Sequence, residues 1–256
     1  MHCRARMVLV AAAVMLVSAS SAWARSSTSR AGYQGVHDTF RSVHASWIMP
    51  SISCPGQSSS GYQGEAWFGV GMGSSYASSE QVVTRTFCTG VVPSYVAYLE
   101  VGGAQAAGAA GGVLTPRPGD RISATVSYLG VFPYPAGGVT YHVGRYRFAV
   151  SDITQRKSVT VVDSSDCVRY RCDHSTVEVT AGIPSARYSA LADYGHVTFS
   201  GIRITDLRRH GGAFANNTHW KVTKLVEFDA ATHRLAAAPA RLTHRGAQLS
   251  VRWHGY

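Results

Sequence analysis

The 256-residue sequence carries a formal net charge of +10, 45% hydrophobic residues and only 15% charged ones. Its basic residues are scattered, with Arg156-Lys157 and Arg208-Arg209 the densest pairs. With no arginine-rich helix and no RNA-type aromatic signature, the composition argues against nucleic-acid binding.

Taken in chain order, the first feature is an export signal. His2, Arg4 and Arg6 form a short basic start, Met7 to Val17 is unbroken apolar sequence, and Ala22-Trp23-Ala24 fits the small-x-small cleavage rule. The apolar run falls short of the roughly 20 residues a bilayer span needs, and no later stretch approaches that length. The expectation is a secreted, extracellular chain with residues 1–24 removed and no membrane anchor. Arg4 and Arg6 leave with that peptide, so +8 of the +10 remains. Residues 25–42 are rich in Ser and Arg and read as a loose leader. Residues 43–256 read as one domain, since sandwiches and barrels of this length often form a single unit.

Within that domain the hydrophobic period is two. Arg121–Tyr128, Tyr141–Phe148, His196–Ile204 and Gln248–Trp253 all alternate apolar with polar residues, as antiparallel strands with one buried face do. Turn signals separate them at Arg117–Asp120, Pro133–Gly138 and His210–Gly212. The Ala- and Gly-rich stretch 102–112 has no helical apolar face and reads as a loop. Short strands at this spacing predict an all-β fold, a sandwich or barrel. Trp47, Trp67, Trp220 and Trp253 fall on predicted strands and read first as core residues. The Asn216-Asn217-Thr218 sequon matters only in a cell that glycosylates.

Cysteine usage fits export. With Cys3 lost in the signal peptide, Cys54, Cys88, Cys167 and Cys172 remain, an even number that favours disulfides over metal. Three connectivities are open, and neighbourhood in sequence favours Cys54–Cys88 with Cys167–Cys172. The 11 histidines stand singly, with no HExxH and no paired CxxC, so neither metal nor cofactor is called for. Gly69–Gly73 lacks the strand–loop–helix setting of a phosphate cradle, and there is no GxSxG elbow.

Several segments together resemble the glutamic peptidases (eqolisins, peptidase family G1). They are Ala45–Pro50 with Ser53–Pro55, Ala66–Gly71, Glu80–Thr84 with Cys88, Pro93–Glu100, Pro118–Ala124 and Leu191–Phe199, in the family's order. The resemblance implies an antiparallel two-sheet β-sandwich of concanavalin A-like, jelly-roll type. It also implies an endopeptidase that hydrolyses polypeptides in acid through a Gln/Glu pair and an activated water, and the chain is expected to be a monomer.

Gln81 matches the family's glutamine. An amide donates without titrating, so it can serve an oxyanion at any pH, while a carboxylate can act as general base on water. For the glutamate the resemblance leaves two positions. Counting from Cys167, with one residue of slippage, selects Glu178. Counting back from Pro184 puts Gly182, about 13 Å further along the same strand face, where the catalytic residue belongs. Gly71 stands where the family has an aspartate, whereas Glu100 matches the family's glutamate. Trp67, Tyr98 and Glu100 are the expected substrate-binding residues, with Tyr95 a further candidate for the same groove. A noncatalytic peptide- or glycan-binding sandwich is the alternative.

Overall fold

The computed structural model describes residues 24–27, 29–54, 64–73, 78–102, 104–105, 112–166, 174–183, 190–215 and 217–255. Among them are seventeen strands and one 3-10 turn, His244–Gly246. The strands are β1 (Ala24–Ser27), β2 (Arg30–Val36), β3 (Phe40–Ile48), β4 (Gly64–Gly73), β5 (Ser78–Thr89), β6 (Val92–Val101), β7 (Ala104–Gln105), β8 (Arg121–Ala136) and β9 (Val139–Asp152). They continue with β10 (Lys157–Asp166), β11 (Thr176–Gly182), β12 (Ala190–Leu191), β13 (His196–Asp206), β14 (Gly211–Gly212), β15 (Lys221–Phe228), β16 (Leu235–Pro239) and β17 (Leu249–Trp253). The four alternating segments of the sequence fall in β8, β9, β13 and, from Leu249 onward, β17.

The pairings form two layers. Sheet one runs β1-β15-β2-β11-β4-β5-β6, and sheet two runs β16-β17-β13-β3-β8-β9-β10. The β15–β16 hairpin joins them at one edge. Pairing is antiparallel except between β1 and β15 and between β12 and β4. The fold is therefore an all-β antiparallel β-sandwich. Its core lies between the layers, where Phe68, Val70, Met72, Val82 and Leu99 of sheet one join one buried cluster with Val43, Trp47, Ile122, Val126, Phe148 and Phe199 of sheet two. Trp47 buries its ring there and donates its indole N–H to Thr84 Oγ1 at 3.1 Å, so the polar atom of a core residue is satisfied across the layers.

One expectation is corrected. The stretch 25–42 is not a loose leader: β2 lies inside sheet one, flanked by β11 and β15, and β3 begins at Phe40. Its alternation explains why. Ala31 and Tyr33 turn into the core, while Arg30 and Gln34 turn to the other face. Cys54 and Cys88 are disulfide-bonded, with Cα atoms 5.6 Å apart. Cys167 and Cys172 lie outside the described residues, as do residues 1–23 and most of 102–112.

Candidate active site

Sheet one presents its second face away from the core, and strand register arranges that face in rows. Residues directly opposite each other in a ladder point the same way. One row reads Glu100 (β6), Gln81 (β5), Gly71 (β4), Glu178 (β11), Gln34 (β2) and Thr223 (β15). The next reads Tyr98, Val83, Gly69, Thr180, Gly32 and Leu225, and the one beyond it Val96, Arg85, Trp67, Gly182 and Arg30. Gln81, Glu178, Glu100, Tyr98 and Trp67 thus share one face. β4 contributes no side chain at Gly69, Gly71 or Gly73. Gln81 and Glu178 therefore face each other across a bare strip, their Cα atoms about 10 Å apart, two strand spacings.

Each member of the pair is held by a neighbour. The Gln81 amide donates to the Glu100 carboxylate. A primary amide has two N–H donors, so one stays available. Glu178 is buried; its Oε1 accepts from Gln34 Nε2 at 2.9 Å and its Oε2 from Arg30 Nη1 at 2.5 Å. A carboxylate offers about four lone-pair sites, so two remain for water or substrate. Burial pushes the Glu100 carboxyl above its ordinary range, against the opposing pull of the Gln81 amide and the Arg85 guanidinium. Trp67 donates its indole N–H to Glu65 Oε1 at 2.6 Å, and Arg85 pairs with the same carboxylate. That contact fixes the Trp67 ring beside Arg85 and Gly182.

Gly182 does not occupy the Gln81 row. A Cβ built on it would meet the Ser29 carbonyl oxygen at 2.0 Å and Arg30 Cα at 2.9 Å. This backbone has no room for a glutamate at 182. Tyr95 is likewise not on the candidate face. It sits opposite Thr86 on the core side and accepts from the Ile52 N–H at 3.3 Å through its hydroxyl. Arg30 and Gln34, the partners of Glu178, were hidden by the reading of residues 25–42 as a leader. The period-two pattern from Arg30 to Val36 was the signal that could have found them.

Comparisons with known proteins agree with this architecture. The profile of the Peptidase A4 family matches residues 28–132. No curated protein sequence matches the chain significantly. Among solved structures, SCP-B, a member of the eqolisin family of peptidases in complex with the tripeptide Ala-Ile-His, superposes with a TM-score of 0.59 at 14% identity. Scytalido-glutamic peptidase superposes at 0.60 and 14% identity with a peptide-based transition-state analogue, and at 0.61 and 13% with a transition-state analogue inhibitor. In each case 89% of this chain and 98% of the other are covered. Residues 28–132 thus match the Peptidase A4 family profile, and the chain shares the β-sandwich fold of the eqolisin structures.

Proposed function

We propose that this chain is a secreted, acid-acting glutamic endopeptidase, monomeric in solution, with Gln81 and Glu178 as its catalytic pair. The observation that carries the reading is their shared row and face, separated only by side-chain-free Gly71. An extended polypeptide fits the glycine strip along β4, with Trp67 and Tyr98 as flanking surfaces. Glu178 acts as general base on a water above Gly71, then returns the proton to the leaving amine. Gln81, oriented by Glu100, donates its remaining N–H to the developing oxyanion. Neither step calls on a side-chain nucleophile.

The alternative, a noncatalytic peptide- or glycan-binding sandwich, draws support from one observation: both Glu178 oxygens already have protein partners. A protein-substrate digest from about pH 2 to pH 8 separates the two, since acid–base chemistry by the pair must follow pH. Acid-limited cleavage by wild type, lost in Gln81→Ala and in Glu178→Ala, is the expected result. Cleavage that persists in Glu178→Ala removes Glu178 from the mechanism, and no cleavage at any pH selects the binding reading.

A further inference from the structure

The β8–β9 hairpin extends well past the sandwich. Among the described residues, β3 pairs with β8 only from Arg121 to Ser127, and β10 pairs with β9 only from Val143 to Asp152. Beyond those limits Val131–Ala136 and Val139–His142 form a two-stranded arm. Val131, Phe132, Tyr134, Val139 and Tyr141 are all exposed on it.

A β-bulge decides which way the arm faces. Up to Tyr128, even-numbered residues of β8 enter the core; the register shift between Tyr128 and Gly130 inserts one residue and reverses the alternation. Phe132, Tyr134, Val139 and Tyr141 consequently share the outer face of sheet two with Arg145 and Arg147. Arg145 sits 4.8 Å from the centroid of the Phe132 ring. This face lies on the opposite side of the sandwich from the Gln81 row.

We infer that the arm is a peripheral docking surface for anionic lipid membranes. Contiguous exposed apolar surface of this kind marks an interaction site, and aromatic rings with a polar tip favour the membrane–water interface. From Leu129 to Arg147 the chain has no Asp or Glu but carries His142, Arg145 and Arg147, and +8 of the chain's +10 net charge remains without residues 1–24. That charge complements an anionic headgroup layer. Pairing of a second copy's strand with the β8 edge is disfavoured, because Pro133 and Pro135 lie on it and lack the N–H donors that a strand would need. Docked this way, the protein keeps the Gln81 face turned to solvent.

The test is co-sedimentation of the full secreted protein with phosphatidylcholine vesicles, with and without equal phosphatidylglycerol. Binding is expected only with phosphatidylglycerol and should weaken as salt is raised. Tyr134→Ser with Tyr141→Ser should lower it at least about tenfold, and Arg145→Ala or Arg147→Ala about fivefold each. All these side chains are exposed, so melting temperatures should be unchanged. Failure to bind phosphatidylglycerol vesicles, or equal binding by the tyrosine variant, overturns the inference. So does a dimer seen by light scattering in wild type and lost in that variant, which would assign the arm to a second copy.

Discussion

Glu178 joins two requirements that pull against each other. Buried on a sheet face, a carboxylate is tolerable only when charge and hydrogen bonds compensate it, and Arg30 with Gln34 supply both. Removing one partner of a buried pair costs about 3–5 kcal/mol. The Arg30 side chain is 25% exposed, so Arg30→Ala should cost less, about 1–3 kcal/mol after screening. In a Glu178→Gln background that cost should shrink by at least about 1 kcal/mol. Urea titrations of the four proteins check the coupling, and equal costs in both backgrounds would mean the pair is not an energetic unit. Gly182 offers the complementary case. Because a Cβ there meets the Ser29 carbonyl, Gly182→Ala should destabilise by about 1–3 kcal/mol. Gly182→Glu should be destabilised without gaining peptidase activity, and a gain would reinstate 182 as the catalytic position.

At the scale of elements, the Cys54–Cys88 bridge ties the chain after β3 to the end of β5 over a separation of 34 residues. On the chain-entropy model a loop of this size contributes up to about 4 kcal/mol. The double Cys→Ser variant should therefore lose stability on that order, while intact-mass analysis of the protein lacking residues 1–24 should find no free thiol, Cys167 and Cys172 included. The strands themselves were legible wherever one face is wet: β8, β9, β13 and β17 alternate cleanly because solvent and core impose opposite demands on successive residues. Elsewhere the code was weaker. Pro133 and Pro135 read as a turn, yet they lie within β8, tolerated because their edge has no partner strand among the described residues, and the turn itself is only Gly137-Gly138. β2 was missed because Ser- and Arg-rich surroundings suggested a leader, although it is a flanked strand of sheet one. Gln81, Glu100 and Trp67 could be named from sequence. Register could not, and register alone puts Glu178 rather than Gly182 in the Gln81 row.

For the whole molecule, buried acids set a preference for mild acid. Glu227 is buried at the β15–β16 corner, and its Oε2 has no hydrogen-bond partner among the described residues. Burial pushes its pKa from 4.5 to about 8; Arg30 opposes the rise and Asp229 adds to it. A raised folded pKa means that the stability Glu227 provides is complete below about pH 4.5 and is lost as pH climbs through about 8. Asp206 and Asp229 act in the opposite sense. Burial works to raise Asp206, but the hydrogen bonds from His210 outweigh it, and the Thr232 hydroxyl holds Asp229 low. Their contributions are complete above 3.8 and are lost as pH falls below it. The melting temperature should therefore decline from about pH 5 to pH 8, and Glu227→Gln should flatten most of that decline. An unchanged slope in the variant would assign the pH dependence to other groups.

On the proposed reading, Gln81 and Glu178 act as one unit across the bare strip at Gly71. The most direct measurement is kcat/KM on a peptide substrate at acid pH for wild type, Gln81→Ala, Glu178→Ala and the double variant. Residues that share one transition state are strongly non-additive, so the double variant should be scarcely worse than the poorer single one. Losses that multiply, or a single variant with wild-type activity, would contradict the account.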